Sequence, residues 1–377
     1  EQQLKVYNAY KAGQHTADEV DHQHPKPRSM VAETAMAWHI EAVGSNNQRG
    51  TGDVKTMAFS AGLYQRVVDT WNKAEFATVT FPRLVKEDWP TIFKIKYNMA
   101  DLLYFQKDWA KCGPAFDAVV EEDPTGPEAG EAAYAAVLCY QSIYEQNHPK
   151  DSAKKGSGNL PTGEKKATAE QKRAEEAEKL KPKALTDGQK GMVQAFNRYV
   201  CYIKPSTKEG TDQLIEVKYA RARTYFEAQH WEEAAAAFRE IAMTYPDAEV
   251  GIYAAQLYME SVNVLGTYSA PPRPSCFADD LTTDVPKFVE MYCVGERAAK
   301  NAEQCTTLNK VQVNLKRVVA EKLVDAAGQQ QGTQALENYE KAGNLYFDMF
   351  KKYCQEPVAA NQQPQADRCD EIAYNSA

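Results

Sequence analysis

IKYNMADLLYFQKDWAKCGPAFDAVVEEDP (residues 95–124) and VKYARARTYFEAQHWEEAAAAFREIAMTYP (residues 217–246) align without a gap. Seven of the thirty positions are identical: Lys96/Lys218, Tyr97/Tyr219, Ala100/Ala222, Trp109/Trp231, Ala115/Ala237, Phe116/Phe238 and Pro124/Pro246. Ile95/Val217, Tyr104/Phe226 and Val119/Ile241 are conservative pairs. Alanine abundance inflates such scores, but paired Trp, Phe and Pro at one offset have no such origin, so the chain contains an internal repeat. Each copy reads as two helices. In the first, apolar residues fall at helical spacing, as in Tyr219, Ala222, Tyr225 and Phe226. A short polar turn follows (106–108 and 229–230), and the second helix opens at the Trp and ends where Pro stops it.

This order of small, aromatic, small and aromatic residues closed by Pro resembles the tetratricopeptide repeat. Ala222, Tyr225, Ala234, Phe238 and Pro246 match its signature positions, and Ala100, Leu103, Cys112, Phe116 and Pro124 do so more loosely. The usual first-helix Trp and second-helix Gly of the family are absent, replaced by Lys218 and Ala222. The match is therefore to the broad superfamily. The resemblance implies an all-α fold, a right-handed α-solenoid of tetratricopeptide-like helix pairs. Its concave face, lined by first helices, would accept a peptide or a partner helix.

Worn copies extend the array. Residues 36–43 and 58–71 form one expected pair, with Tyr64 where Phe238 sits. Residues 131–144, 192–205, 250–265, 285–304, 313–327 and 335–354 read as further helices, and 366–377 as the opening of another pair. The expected organisation is an N-terminal helix and linker (1–28), helix pairs (29–146), a charged low-complexity insertion (147–190), helix pairs (191–265), a Pro-rich loop (266–284) and a last group of pairs (285–377). The insertion is too poor in apolar residues to order itself, apart from a helix over 166–181. Its lysines are interleaved with Glu, which reads as a solvated linker or a lone charged helix. PPRP in the second insertion is read as rigid loop packing, the other reading being a polyproline ligand. The opening EQQLKV and the closing CDEIAYNSA read as cut ends of a longer protein.

Composition narrows the function. Apolar residues make up 43% and charged residues 25% of 377, as in an ordinary folded protein. The net charge of −8 argues against nucleic acid or anionic lipid as the main partner. No stretch approaches the run of apolar residues a membrane span needs. No nucleophile elbow, phosphate loop, dinucleotide fingerprint or CxxC is present, so a non-catalytic reading is preferred, with no metal and no cofactor. The one cluster with metal-ligand chemistry is His15, Asp18, Glu19, Asp21, His22 and His24, read as an exposed linker before Pro25 and Pro27. Its alternative is a metal-dependent binder or enzyme. His39 reads as a packed core or interface histidine, His230 as solvated in the inter-helix turn, and Trp109 and Trp231 as packing anchors.

Eight cysteines bear on compartment. In an antiparallel helix pair, residues equally far from the turn face one another. A turn centred near Gly126 sets Cys112 opposite Cys139, and one centred near Gln362 sets Cys354 opposite Cys369. Two such coincidences favour disulfides and an oxidising compartment, the other reading being buried thiols. The pairing of Cys201, Cys276, Cys293 and Cys305 is open. For the partner face, solvent-side positions of the first helices are the candidates: Lys94, Asn98 and Asp101 in one copy, Lys218, Arg221 and Arg223 in the other. The face passes from mixed to basic, which suits an acidic segment. The repeats resemble envelope tetratricopeptide proteins of Gram-negative bacteria. That resemblance implies a periplasmic or outer-membrane-associated subunit of an assembly, secretion or motility machine that binds protein or peptide partners. A cytoplasmic chaperone-type adaptor is the alternative, and it predicts eight reduced cysteines.

Overall fold

The computed structural model describes residues 27–45, 48–81, 83–147, 169–268, 279–361 and 363–376. Among these the fold is all-α, with one two-stranded ribbon, β1 (Gly44–Ser45) and β2 (Gln48–Arg49), between the first two helices. The His15–His24 cluster, Cys276 and the PPRP stretch lie outside the described residues. The chain divides into two compact units, one of residues 1–160 with 185–206 and one of residues 161–184 with 207–377.

In the first unit α1 (Pro27–Val43) packs against α2 (Val54–Thr70), and α4 (Ile92–Phe105) against α5 (Trp109–Glu122). The short α3 (Lys73–Ala77) joins the two pairs, and α6 (Ala129–Asn147) packs on both α5 and α8 (Asp187–Tyr202). Local sequence sets the starts. Asp53 and Thr91 cap α2 and α4 with their side chains. Asn72 with Glu75 and Thr186 with Gln189 form capping boxes for α3 and α8. The core joins Tyr64, Val67, Trp71, Phe76, Phe81, Ile95 and Leu102.

The second unit holds α7 (Ala169–Lys179), α9 (Lys208–Glu227), α10 (Trp231–Thr244) and α11 (Gly251–Thr267). These are followed by α12 (Leu281–Tyr292), α13 (Glu296–Lys300), α14 (Ala302–Gly328), α15 (Thr333–Phe350), α16 (Glu356–Ala359) and α17 (Cys369–Tyr374). Its larger core gathers Trp231, Phe238, Ile241, Tyr258, Phe288, Tyr292 and Leu308, and a smaller one Tyr346, Met349, Tyr353 and Ile372. No described helix is long and apolar enough to cross a membrane.

The two aligned segments fold alike. Tyr97 meets Phe116 edge-on at 5.7 Å and 62°, and Tyr219 meets Phe238 at 5.6 Å and 63°. Tyr104 meets Trp109 at 5.3 Å, and Phe226 meets Trp231 at 5.1 Å. The turn between the helices puts Lys107 and Gln229, equivalent positions, in the left-handed region at φ 59° and 63°. Ala100, Ala222, Ala234, Phe116 and Phe238 are fully buried, Tyr225 is half-buried, and Pro124 and Pro246 follow the ends of the second helices.

Three boundaries differ from the sequence reading. The span 285–304 is not one helix: Gly295 at φ 61° breaks it, and the Cys293–Cys305 disulfide closes α12 onto α14. Before this break, α12 starts at Leu281, inside the expected loop. The insertion expected over 147–190 divides, because α7 and residues 180–184 belong with the second unit. There the Lys183 N–H donates to the Ala228 carbonyl at 2.9 Å, and the Trp231 indole N–H to the Leu180 carbonyl at 2.7 Å. An ordered partner surface offsets the low apolar content of that segment.

Candidate partner-binding faces

A hydrogen-bonded chain links α1, α2 and α4 of the first unit, among the residues that the sequence reading set on the partner face. His39 Nε2 lies 3.1 Å from Asp101 Oδ2, and His39 Nδ1 lies 3.4 Å from the Tyr64 hydroxyl. Asn98 Nδ2 donates to that hydroxyl at 3.3 Å. One proton assignment satisfies every group: Nε2–H donates to the Asp101 carboxylate, Nδ1 accepts from Tyr64, and Tyr64 accepts from Asn98. Burial raises the Tyr64 phenol well above its ordinary range, so the O–H is retained as the donor. Asn98 and Asp101 are thus half-buried and engaged between helices, where the sequence reading set them on the solvent side.

Around this chain the face is acidic. Tyr97 donates to Glu131 at 3.1 Å, and Lys94 lies 3.4 Å from Glu128 and 4.8 Å from the Tyr97 ring centre. Burial, with Glu131 and Asp101 nearby, raises the Tyr97 phenol. Asp101, Glu128 and Glu131 thus gather around Tyr97, with the Lys94 ammonium over its ring. The second oxygen of Glu128 is buried with no hydrogen-bond partner.

In the second unit the equivalent helix is α9. By the repeat register Asp101 corresponds to Arg223 and Asn98 to Ala220, so the charge at the shared position inverts. Arg223 bonds Glu227 at 2.7 Å, and it sits beside Tyr219, the counterpart of Tyr97. Arg221 is half-buried. Lys218 departs from the expectation of a solvent-facing residue: it is 9% exposed, and its ammonium bonds Glu240 and, at 3.3 Å, the Tyr245 hydroxyl. Burial opposes the charge, but these partners outweigh it and raise the Lys218 pKa. Lys96 turns the same way, onto Glu122, so this repeat position is a clamp between the two helices of a pair.

His230 is half-buried and its Nε2 lies 2.8 Å from the Lys183 carbonyl, so it helps hold residues 180–184 against the repeat where a solvated residue was expected. His39, Trp109 and Trp231 sit in packed positions.

The cysteines fall as the turn geometry required. Cys112 is bonded to Cys139 and Cys354 to Cys369, with Cα–Cα distances of 6.1 and 5.8 Å. The third bridge, Cys293–Cys305, was not assigned from sequence, because the break at Gly295 that brings the two together carries no periodic signal. Cys201 is an exposed free thiol on α8.

Two polar sites escaped sequence reasoning. Asp284, buried on α12, accepts from Arg239, Tyr258 and Lys287. Tyr140 on α6 lies between Gly113 of α5 and Gly191 of α8, and donates at 2.8 Å to Asp117, which pairs with Arg198. Side chains brought together from three helices leave no local motif.

What the fold defines is an all-α protein of packed helix pairs, two of which are copies that carry opposite charge at one shared position, Asp101 and Arg223. No protein-family model matches the chain, and no curated protein matches it in sequence.

Proposed function

We propose that this chain is a non-catalytic protein-binding scaffold whose helix pairs are tetratricopeptide-like repeats, stacked within each unit in the right-handed sense of that superfamily. It serves as a periplasmic or outer-membrane-associated subunit of a cell-envelope machine. The observation that carries the reading is the closely matched aromatic geometry of Tyr97–Phe116 and Tyr219–Phe238, which sets each first helix against its own second helix in the same way. With the frame repeated, what differs between copies is the charge at the shared position: the half-buried carboxylate of Asp101 in one, the half-buried guanidinium of Arg223 in the other. A scaffold that reads a partner by charge needs this combination of a constant frame and a variable face. Three disulfides support an oxidising compartment.

A photo-crosslinking residue at Lys94 or at Arg223, introduced in the source cell, is expected to capture one discrete protein. The same residue at Ala118 or Ala236, exposed on the second helices, is expected to capture none. Equal labelling from all four positions removes the face as the binding surface. Capture of a cytoplasmic protein would favour the chaperone-type adaptor.

A further inference from the structure

On α15 the residues Leu336, Tyr339, Gly343 and Phe347 fall at helical spacing on one side, away from the core side formed by Ala342, Tyr346 and Met349. The three apolar members are 69%, 47% and 54% exposed, and Val324 of the antiparallel α14 is also exposed. Three large apolar side chains aligned over three turns form a contiguous stripe, unlike scattered surface apolar residues. Gly343 sits at its middle. A Cβ there would meet nothing within 4 Å, so the fold itself gives no reason for glycine. A mid-helix glycine costs about 1 kcal/mol against alanine. Glycine facing outwards from an apolar stripe is what a closely approaching second helix requires.

Charge identifies that helix. Glu337 and Glu340 lie in the N-terminal half of α15, and Lys351 and Lys352 are exposed just past its C-terminal end. Glu337, Glu340 and Lys351 form no ion pair among the described residues; Asp348, the one acid of the C-terminal half, lies near Lys316, as does Lys352, whose ammonium stands 5.3 Å from the Tyr353 ring centre. Lys341 and Asp348 offset part of this, leaving residues 333–341 at −1 (two Glu, one Lys) and 342–352 at +1 (one Asp, two Lys), and a helix so polarised complements itself when turned end for end. With two copies crossing at Gly343, Leu336 and Tyr339 of one chain meet Phe347 of the other. Each Glu337/Glu340 pair then approaches the other copy's Lys351/Lys352 pair. We infer that α15 is a self-association surface: two copies of this chain pair antiparallel through the Leu336–Tyr339–Phe347 stripe, with Gly343 at the two-fold crossing. An isologous contact closes at two copies and does not propagate. A single-helix face lies at the small end of interface sizes, so the dimer is reversible.

Sedimentation velocity over a concentration series tests this with the whole chain. The wild type is expected to shift from monomer towards dimer as concentration rises. Leu336→Glu with Phe347→Glu should stay monomeric. Gly343→Leu, which has room in the single chain, should weaken association at least tenfold while circular dichroism stays unchanged. The decisive arm is a charge pair. One variant carries Glu337→Lys and Glu340→Lys, and is basic at both ends; the other carries Lys351→Glu and Lys352→Glu, and is acidic at both. Each alone should be monomeric, and an equimolar mixture should dimerise. A wild type that remains monomeric throughout, a dimer that survives the stripe variants, or a mixture that fails to associate would each overturn the inference.

Discussion

The indole N–H of Trp231 donates at 2.7 Å to the carbonyl oxygen of Leu180, fifty-one residues earlier in the chain. Two more hydrogen bonds, Lys183 N–H to Ala228 and His230 to the Lys183 carbonyl at 2.8 Å, fasten the same stretch across the turn of the second repeat. Residues 180–184 have no helix or strand of their own, so these bonds and the apolar contact of Leu180 hold them. Trp231→Phe keeps an aromatic ring against Phe226 and removes the donor. The expected outcome is faster tryptic cleavage after Lys179 and Lys183, with a loss of about 1 kcal/mol in global stability. Trp109→Phe, in the equivalent frame of the first repeat, should not change cleavage at those two bonds. If the Trp231 variant is cut no faster, the segment is held elsewhere.

The tie between Trp231 and Leu180 also marks where sequence reading stops. The helix pairs were legible because their signal is local and doubled. Tyr97, Trp109 and Phe116 recur as Tyr219, Trp231 and Phe238, and one copy confirms the other. Cys112–Cys139 and Cys354–Cys369 were legible because an antiparallel turn converts sequence distance into facing positions. Cys293–Cys305 was not, since a single glycine at positive φ reorients the chain between them. Lys218 misled for another reason. Its spacing places the Cα at the edge of the helix face, but a four-carbon stem lets the ammonium reach Glu240 while the methylenes stay buried. Asp101 turned inward because His39 supplies a donor from a helix sixty-two residues away, which no periodicity encodes.

Asp284 gives the second repeat unit an acid-sensitive joint. Burial alone would raise its carboxyl pKa, but hydrogen bonds from Arg239, Tyr258 and Lys287 together outweigh burial and hold it below the ordinary value of 3.8. A depressed folded pKa contributes stability that is complete above the unfolded value and is lost as pH falls through the folded one. Asp284→Asn is therefore expected to lower stability at neutral pH by about 1–3 kcal/mol. It should also flatten the decline of stability below about pH 4. Asp117 has the opposite sign, because burial raises its carboxyl despite the bonds from Tyr140 and Arg198. Asp117→Asn should steepen the same acid limb. Urea midpoints measured across the acid range decide both. Parallel curves for wild type and Asp284→Asn would show that the joint does not titrate.

Gly113 and Gly191 make room for the Tyr140 ring from opposite sides. A Cβ at either position would stand 2.9 Å from the ring, inside van der Waals contact. Gly113→Ala and Gly191→Ala are each expected to destabilise by about 1–3 kcal/mol through overpacking, despite the helix propensity of alanine. Both costs run through one side chain, so they should shrink together when Tyr140→Ala supplies space, and a double-mutant cycle would show the coupling. Gly343→Ala is the control: it adds a Cβ to open space and should stabilise the single chain by up to about 1 kcal/mol. Equal effects at all three glycines would mean that propensity, not the Tyr140 ring, sets the outcome.

The three disulfides close loops of 27, 12 and 15 residues, and all of them staple neighbouring helices of a unit. Loop-closure entropy gives each a contribution of about 3 kcal/mol, the 27-residue loop the largest by a few tenths. Cys112 and Cys139 are fully buried, whereas Cys293 and Cys369 are half-buried, so a mild reductant should open the Cys293–Cys305 and Cys354–Cys369 bridges before Cys112–Cys139. Native protein alkylated before and after reduction, then mapped by peptide mass, is expected to show Cys112, Cys139, Cys293, Cys305, Cys354 and Cys369 protected, and Cys201 modified at once. Reduction should lower the denaturation midpoint in two steps, with the C-terminal helices α15 to α17 losing amide protection before α5 and α6. Cys354→Ser with Cys369→Ser should reproduce the C-terminal part of the first step. Full alkylation of all six cysteines in protein taken directly from its source cell would contradict the oxidising compartment and favour the cytoplasm. Protection of the six, with the predicted linked peptides, would support an oxidising compartment, of which the envelope is one, over the cytoplasm.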